Sequence, residues 1–375
     1  MTHSSASIRW GALVLEDGSY FVGKMFGAEV ETEAEVVFNT GLTGYQEICT
    51  DPSYRGQMVV MTHPQIGNYG ISDRVLESDQ PWLAALIVRD ASPAPHHWDS
   101  RATIHEYLSQ SGVPGLSDVD TRAITRRLRT KGTLKGVLLT VPSRQLDVDT
   151  REALAARAHR LSLPVMVGEV SGHTPLLTPE SGGPRVALID CGAKWSIVRQ
   201  LEQRGAQVIP LPWDVSAEAL LQAHPDGVLI ANGPGDPALL DPPVQTATRL
   251  LELGTPMLGI CLGHQIIGRA GGGETVRLPF GHHGANHPVQ DERSGHVYIT
   301  SQNHEYQVSE TRELQQSGFE VSHRSLNDGS VEGLVHRELP VRTVQFHPEG
   351  GPGPKDAAAI FDEFLALIRT QAVRV

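Results

Sequence analysis

One short stretch, Pro256-Met-Leu-Gly-Ile-Cys-Leu-Gly-His-Gln265, decides how the second half of the chain is expected to fold. The apolar run from Met257 to Ile260 predicts a buried strand, and the residues from His264 onward predict a helix. Glycines at positions 259 and 263 flank the sharp turn between them, because backbone segments there approach too closely for side chains. The turn holds Cys261 out as a candidate nucleophile, in a nucleophile elbow with sulfur in place of oxygen.

The position of Cys261 also predicts that it is reactive. A cysteine at the start of a helix faces free backbone N–H groups and the positive end of the helix dipole, which favour the thiolate. The alternative is that Cys261 is a small buried core residue, as free cysteines often are. Glycines on both sides, after a strand and before a helix, make the nucleophile the better interpretation.

Length and composition limit the possible classes of protein. A chain of 375 residues exceeds one ordinary domain, so two domains are expected. The net charge of −12 argues against nucleic acid or an anionic membrane as partner. The odd count of 3 cysteines suits a reducing cytoplasm, and neither a signal peptide nor a membrane-spanning run is found. We expect a soluble cytoplasmic protein that acts on small metabolites or on another protein.

Residues 1–145 predict a strand-rich α+β domain. Gly11 to Val22 has the pattern of a hairpin around an Asp17-Gly18 turn. Residues 39–54 form a long loop-like stretch crowded with polar side chains, which is either surface turns or a site. Four arginines surround a predicted helix at 121–129, which is either a solvated face or a docking surface for a partner subunit. Further strands are expected at 35–40, 57–62, 83–88 and 135–141, and a further helix at 103–109.

Residues 146–184 are predicted to be a linker region, and residues 185–375 to form a doubly wound parallel sheet. One helix is expected at 149–160, and Pro179-Glu-Ser-Gly-Gly-Pro184 has the composition of a linker. After it, short apolar runs alternate with helical segments, as in parallel α/β sheets. Ligands of such sheets bind beyond the carboxyl ends of the strands, where the elbow places Cys261. The runs lie at 185–190, 207–212, 227–231 and 257–260, and the helical segments at 195–204, 217–223 and 243–253.

A glycine-rich loop is expected at the same edge of the sheet. Asn232-Gly-Pro-Gly-Asp-Pro237 follows a predicted strand directly, and Gly233 and Gly235 allow backbone N–H groups to turn toward a ligand. Together with the N–H of Leu262, these groups would cradle the oxyanion formed when Cys261 attacks a carbonyl. Alone, such a loop is more often only a turn.

A histidine and an acid follow the last predicted strand, Val341 to Phe346. Residues two apart on an extended segment point to the same side, so the carboxylate of Glu349 can orient the imidazole of His347, which takes the thiol proton. The alternative is a turn histidine before Pro348. We therefore assign Cys261, His347 and Glu349 as candidate catalytic residues.

Other histidines need a separate interpretation. Those at 282, 283, 287, 296 and 304 lie near one another in sequence, and imidazole is the commonest metal ligand. No Asp, Glu or Cys lies among them at recurring metal spacing, and the chain has 17 histidines, so we predict no metal site. His264 is expected to pack or to hydrogen bond at the helix start rather than to act as the base.

Three motifs together resemble those of class I, triad-type glutamine amidotransferases. They are Asn232-Gly-Pro-Gly-Asp-Pro237, Gly259-Ile-Cys-Leu-Gly-His-Gln265 and Gln345-Phe-His-Pro-Glu349. The first half is similar to an amino-terminal domain that one branch of this family carries. That similarity lies in Phe38-Asn-Thr40, Thr43-Gly-Tyr-Gln-Glu47, Thr50-Asp-Pro-Ser-Tyr54 and Asp120-Thr-Arg122. In the second half, Gly281-His-His-Gly-Ala-Asn-His-Pro288 and Ser301-Gln-Asn-His304 fit the same branch. Nearly the whole chain resembles the family of small, glutamine-hydrolysing subunits of carbamoyl phosphate synthetases.

The resemblance implies a fold and an activity. It implies a small-subunit amino-terminal domain followed by a class I glutamine amidotransferase domain. The implied activity is hydrolysis of L-glutamine within a glutamine-hydrolysing carbamoyl-phosphate synthase, a ligase, with ammonia passed through an internal tunnel to a large subunit that uses bicarbonate and ATP. The pair would act as a heterodimer in arginine and pyrimidine biosynthesis. No cofactor is expected in this subunit, whereas ATP and Mg²⁺ are expected on the large one.

The resemblance also implies the residues that bind glutamine. These are Ser53, reaching over from the first domain, with Gly233, Gly235, Leu262, Gln265, Asn303, Glu305 and Tyr306. The family often has Gly and Phe where this chain has Glu305 and Tyr306, so backbone contacts are expected there. Gly350-Gly351 likewise replaces the usual Ala-Ser.

Three alternatives stay open at the level of sequence. The glutaminase subunit of another synthase would share the second half but should lack the first domain. A free-standing cysteine γ-glutamyl hydrolase would turn over without a partner. A non-catalytic scaffold would need a broken triad, whereas Cys261, His347 and Glu349 are all present.

Overall fold

The structure, a computed structural model, describes residues 8–175 and 182–372. The chain divides into two compact units. Unit 1 runs to Thr50 and continues in Gly56–Leu76 and Gln80–Leu163; unit 2 consists of Asp51–Arg55, Glu77–Asp79 and Pro164 onward. Two early segments, one of which includes Ser53, thus belong to unit 2. Residues 176–181 of the predicted linker lie outside the described residues.

Unit 1 is built on a closed barrel of seven strands. The strands of this unit are β1 Trp10–Leu15, β2 Tyr20–Gly27, β3 Thr32–Asn39, β4 Gln57–Met61, β5 Gln65–Ile66, β6 Ala85–Ile87, β7 Asp90–Ala91, β8 Pro114–Ser117 and β9 Leu134–Val141. Its helices are α1 Tyr45–Thr50, α2 Ile104–Gln110, α3 Thr121–Lys131 and α4 Val148–Arg160. The barrel order is β1-β2-β8-β6-β4-β3-β9, and β5 pairs with β7 in a separate small sheet. The predicted strand-rich α+β architecture is confirmed.

Local sequence signals account for much of unit 1. Strands β1 and β2 form the predicted antiparallel hairpin, and Gly18 supplies a positive φ of 82° in its turn. The loop predicted at 39–54 is wrong in part, because α1 and a short 3-10 helix at Pro52–Tyr54 occupy most of it. Burial of Tyr45 and Ile48 against the unit outweighs the polar composition of this stretch.

Unit 2 contains one sheet of nine strands. The strands are β10 Arg185–Asp190, β11 Gln207–Pro212, β12 Gly227–Ile230, β13 Met257–Ile260, β14 Glu274–Asp291, β15 Val297–Ser309, β16 Phe319–Ser325, β17 Val331–His336 and β18 Val341–Val344. Its helices are α5 Val167–Val170, α6 Trp195–Gln203, α7 Ala217–Leu221, α8 Asp241–Glu252, α9 Leu262–Ala270, α10 Arg312–Gln316 and α11 Ala359–Ala372. The order β11-β10-β12-β13-β18 is parallel, as predicted, and β17-β16-β14-β15 extends it with antiparallel strands.

Helices cover both faces of the parallel strands, so this part of the sheet is doubly wound. One core contains Val186, Leu188, Leu201, Phe361 and Phe364. The opposite core contains Ala187, Ile189, Leu250, Ile266 and Ile267. Alternate residues of β10 therefore enter opposite cores. Full burial of each large apolar side chain contributes about 1.5 to 3 kcal/mol, so the carboxyl edge that carries the motifs is rigidly held. None of the helices in the described residues is long and apolar enough to cross a membrane.

Candidate active site

The predicted elbow is the turn between β13 and α9. Cys261 has φ 54° and ψ −104°, a strained conformation for a residue other than glycine. A Cβ on Gly263 would lie 2.0 Å from the carbonyl oxygen of Ile230, and one on Gly259 would lie 2.5 Å from that of Gly263. Both glycines are thus required by close backbone contacts, as the sequence indicated.

The sulfur of Cys261 lies in a buried site beside free helix amides. The residue is 2% exposed, and its thiol donates to the carbonyl oxygen of Asn303 at 3.4 Å. The hydrogen bonds of α9 begin only with Gln265 N–H to Cys261 O at 3.2 Å, so the amides of Leu262 and Gly263 have no partner inside the helix. These amides offer positive partial charge next to the nucleophile.

Imidazole and carboxylate form the predicted relay. Nδ1 of His347 lies 2.6 Å from Oε1 of Glu349, and both side chains are at most 1% exposed. Nε2 of His347 has no hydrogen-bond partner among the described residues, and the Cys261 sulfur is close enough to raise the pKa of His347. The free nitrogen is therefore available to exchange a proton at the sulfur.

Charge sets the protonation states of this pair. Burial opposes the imidazolium of His347, but the carboxylate of Glu349 outweighs it and raises the pKa of His347 to about 10. Burial likewise opposes the charged form of Glu349, but Lys194 and His347 lower the pKa of this carboxyl to about 2. Near neutral pH the relay therefore consists of an imidazolium and a carboxylate.

A buried lysine completes the relay and was missed by the sequence analysis. Nζ of Lys194 donates to Oε1 of Glu349 at 2.8 Å, and the lysine side chain is 1% exposed. Burial would lower the pKa of Lys194, but the carboxylates of Glu349, Glu77 and Asp51 together raise it. The signal that could have found it is position, because Lys194 follows β10 at the same carboxyl edge as Cys261.

Glu77 is a second buried charge that the sequence did not reveal. Its Oε2 accepts from N–H and Oγ–H of Ser196, at 3.1 and 2.5 Å, and its Oε1 accepts from Arg199. Burial raises the pKa of Glu77, while the Lys194 charge opposes that shift. No local pattern marks this glutamate, because its partners lie far away in the chain.

Ser53 joins a network that runs to the glycine-rich loop and to Asn303. Nδ2 of Asn232 donates to Oγ of Ser53 at 2.9 Å. The carboxylate of Asp51 accepts from Ser53 N–H at 2.9 Å and from Nδ2 of Asn303 at 2.9 Å. The structure thus brings the predicted residues Ser53 and Asn303 together through Asp51, and Asn232 links Ser53 to the glycine-rich loop. The sequence analysis assigned neither Asp51 nor Asn232 to the site.

The glycine-rich loop passes close to both β10 and α9. A Cβ on Gly233 would lie 2.1 Å from the carbonyl oxygen of Cys191 and 2.9 Å from the side chain of Leu262, so the loop backbone lies beside the elbow. Gly235, in contrast, is exposed with φ 94°, and a Cβ at this position would meet no atom within 4 Å.

Three of the remaining predicted residues meet at β15. Nε2 of Gln265 donates to the carbonyl oxygen of Tyr306 at 2.9 Å. The carboxylate of Glu305 is buried and lies 2.7 Å from Nε2 of His283, whose Nδ1 lies 3.0 Å from Oδ1 of Asn303. The Glu305 side chain is thus linked to Asn303 through His283, whereas the sequence predicted only backbone contacts at Glu305. Roles in binding glutamine stay predictions for all of these residues.

His264 makes a buried hydrogen bond, as expected. Its Nδ1 lies 2.7 Å from Oγ1 of Thr343, and burial lowers its pKa to about 3. An imidazole with so low a pKa is a weak base near neutral pH, which is consistent with the prediction that His347 rather than His264 carries the proton.

Comparison with known proteins finds matches to two family models, which together cover most of the chain. Residues 187–367 match the family model described as glutamine amidotransferase class-I. Residues 13–138 match the model described as carbamoyl-phosphate synthase small chain, CPSase domain. The two matches fall in the two halves that the motifs had separated.

Relatives that match nearly the whole chain are named as small chains of carbamoyl phosphate synthase. The chain is 49% identical to the carbamoyl phosphate synthase small chain of Bacillus caldolyticus, over 95% of this chain and 96% of the relative. It is 47% identical to the small chain of Symbiobacterium thermophilum, over 96% and 99%. It is 44% identical to the pyrimidine-specific small chain of Bacillus subtilis, over 96% of each.

Proposed function

This chain belongs to the family of carbamoyl phosphate synthase small chains, and from that membership we infer that it is the glutamine-hydrolysing subunit of a carbamoyl phosphate synthase. The observation that carries the inference is a strained, buried Cys261 at a helix start, beside a buried His347–Glu349 pair. A cysteine, a base and an orienting acid are the groups that acyl transfer from an amide requires.

The first chemical step forms a thioester. The thiolate of Cys261 attacks the side-chain amide carbon of glutamine, and the C–N bond then breaks. The amide nitrogen takes a proton from the imidazolium of His347 and leaves as ammonia. A pKa of about 10 keeps His347 charged near neutral pH, which supports its role as this proton donor.

The oxyanion of this step needs donors that are already in position. We propose the backbone amides of Leu262 and Gly233 for that role, because α9 leaves the first unpaired and Gly233 packs beside it. In the second step water gives a proton to His347 and attacks the thioester carbon. The C–S bond breaks, which releases glutamate and restores the Cys261 thiolate.

Glutamine is proposed to bind between Ser53 and strand β15. The Asn303 carbonyl oxygen accepts from the Cys261 thiol, Ser53 and Asn303 share the Asp51 carboxylate, and Gln265 donates to the Tyr306 carbonyl oxygen on the same strand. Gly235 is the weakest member of the predicted set, since it is exposed. Hydrogen bonds to both ends of glutamine would discriminate against substrates that lack them.

A separate large chain is the proposed partner. Ammonia is a poor product to release into water, and the family name describes a small chain of a synthase. We propose that the large chain binds ATP and Mg²⁺, receives the ammonia through an internal tunnel and combines it with bicarbonate. The carbamoyl phosphate would supply pyrimidine synthesis, as the Bacillus subtilis relative's name indicates for that protein, and arginine synthesis.

The deciding experiment measures glutamine hydrolysis by the chain alone and with a carbamoyl phosphate synthetase large subunit, bicarbonate and ATP. We expect weak activity alone that rises strongly in the mixture, with carbamoyl phosphate formed. Equally fast hydrolysis in both, without carbamoyl phosphate, would indicate a free-standing cysteine hydrolase instead.

A further inference from the structure

A buried group of histidines and one glutamate lies on the antiparallel part of the unit 2 sheet. We call His282, His304 and Glu332 the histidine cluster; they come from β14, β15 and β17. All three residues are at most 5% exposed. One ligand atom from each lies within 4.8 Å of the other two. The cluster takes no part in the steps proposed for glutamine hydrolysis.

His282 has one nitrogen anchored and the other without a hydrogen-bond partner. Its Nε2 lies 2.9 Å from Oδ2 of Asp328. Its Nδ1 is buried, has no hydrogen-bond partner in the described part of the chain, and lies 3.4 Å from Oε1 of Glu332. A carboxylate that holds the far nitrogen of a histidine fixes the tautomer with a lone pair on the near nitrogen, as in carboxylate–histidine–metal arrangements.

His304 is oriented in the same manner. Its Nδ1 lies 2.8 Å from the carbonyl oxygen of Tyr306, which can accept only from an N–H, so the proton is on Nδ1. Its Nε2 lies 2.8 Å from Oε1 of Gln302 and 3.9 Å from Oε1 of Glu332. A metal ion in the cluster would therefore replace the Gln302 contact and bind the lone pair of this nitrogen.

Glu332 supplies a carboxylate to the cluster, and one of its two oxygens already accepts a hydrogen bond. Its Oε2 accepts from Nε2 of Gln302 at 2.8 Å, and the side chain is fully buried. Oε1 faces both His282 and His304. His287 lies on the same side, with its ring 5.3 Å from that of His282 and a buried Nδ1 that has no hydrogen-bond partner among the described residues.

We propose that the histidine cluster binds one divalent transition-metal ion of the zinc or cobalt type, with His282 Nδ1, His304 Nε2 and Glu332 Oε1 as ligands. Two imidazoles and one carboxylate are a donor set that such ions favour, and His287 is the candidate fourth ligand. Metal–ligand bonds of about 2.0 to 2.2 Å require the three ligand atoms to move toward a common centre by a distance on the order of 1 Å, which rotation of the side chains can provide.

The sequence predicted no metal here because no acid occurs at metal spacing among the histidines. Glu332 is brought in from β17, a strand further along the chain, which only the sheet order reveals. Bound metal would tie three strands together on the face of β15 opposite to Asn303 and Glu305. Its proposed role is therefore structural support of the strand that contacts Cys261.

The alternative occupant of the cluster is a proton. Burial opposes a charged His282, but Asp328 and Glu332 outweigh it and raise the pKa of His282 to about 9. In that case His282 is an imidazolium between two carboxylates and binds no metal. Metal content separates the two possibilities, because the coordinating nitrogen must be unprotonated.

The test uses the full chain, made without a polyhistidine tag and stripped with a chelator. It is mixed with an equimolar amount of Zn²⁺ or Co²⁺ and gel-filtered, and bound metal, the visible absorption of Co²⁺ and the melting temperature are measured. We expect about one ion per chain, a tetrahedral Co²⁺ spectrum and a raised melting temperature. Absence of retained metal would overturn the proposal.

Two variants make the result specific. Glu332→Gln keeps an acceptor for Gln302 but removes the anionic ligand, and it should weaken metal affinity at least about tenfold. His159→Gln removes a histidine from an exposed pair with Glu16, 3.2 Å apart, and should leave the metal content unchanged. Equal metal binding by wild type and Glu332→Gln would assign the ion to a surface site and refute the proposal.

Discussion

Glu349 is a carboxylate that stays ionised in a fully buried site because two cations share one of its oxygens. Lys194 and His347 both contact Oε1, at 2.8 and 2.6 Å. Removing one partner from such a buried group lowers the free energy of unfolding far more than removing one partner of an exposed ion pair. The reason is that the remaining buried charge is left without compensation. The arrangement explains why the imidazole of His347 is both oriented and charged before substrate arrives.

The charge on His347 predicts a pH dependence of stability. Its folded-state pKa of about 10 lies above the ordinary value of 6.5, so the stabilisation is complete below pH 6.5 and is lost as pH rises toward 10. We therefore expect the melting temperature of wild type, relative to His347→Gln, to fall by about 2 to 8 °C between these pH values. Calorimetry of both proteins across that range measures it.

His264→Gln provides the matched control. Its pKa of about 3 lies below the ordinary value of 6.5, so its contribution is lost only as pH falls below 6.5. The difference between wild type and this variant should stay constant from pH 6.5 to 10. A constant difference for His347→Gln as well would contradict the imidazolium–carboxylate pair.

Residues next to a strand end were predictable, whereas partners from distant strands were not. Cys261, His347 and Glu349 lie in short motifs whose spacing carries the steric or directional reason. Lys194 follows the end of β10 and Glu332 lies within β17, but nothing in the sequence around either residue indicates its partners, which the order of strands in the sheet supplies. A buried charge is recognisable only when the group that compensates it is known.

At the scale of elements, the elbow is the feature most sensitive to a single methyl group. A Cβ on Gly263 would lie 2.0 Å from the Ile230 carbonyl oxygen, which belongs to β12 and cannot rotate away. We expect Gly263→Ala to lower the free energy of unfolding by about 1 to 3 kcal/mol and to reduce glutaminase activity. Denaturant unfolding and glutamate release measure the two effects.

Gly182→Ala is the control, because no neighbouring atom would clash with a side chain at this position. No atom lies within 4 Å of the position that its Cβ would take, so we expect wild-type stability and activity. Similar losses in both variants would show that helix α9 does not depend on the close approach at Gly263.

Regular elements followed from periodicity, and irregular ones did not. The parallel strands β10 to β13 are short apolar runs between helices, and this alternation predicts a parallel α/β sheet. Strand β14 carries histidines, glycines and two prolines, and its pairing with β15 contains register shifts between Arg277 and His282 and between Gly284 and His287. Bulged strands lose the alternation by which a strand is recognised, so the antiparallel half of the sheet was not predicted.

At the scale of the whole molecule, the proposed function separates two activities that reside on different chains. In this proposal the small chain makes ammonia from glutamine, and the large chain would use ammonia whatever its source. A variant that cannot attack glutamine but keeps its fold should therefore disable only the first activity. Cys261→Ser is that variant, because a hydroxyl replaces the sulfur at nearly the same size and the elbow glycines are untouched.

In complex with a large subunit, we expect Cys261→Ser to lower glutamine-dependent carbamoyl phosphate synthesis at least about 10³-fold, since loss of a nucleophile removes most of the chemical acceleration. Synthesis from added ammonium should stay near the wild-type rate, because the large chain and its contacts are unchanged. Cys49→Ser, a matched exchange of a buried cysteine in unit 1, should support both reactions. Retained glutamine-dependent synthesis would reject Cys261 as the nucleophile, whereas loss of both reactions would show that the exchange disturbs assembly rather than chemistry.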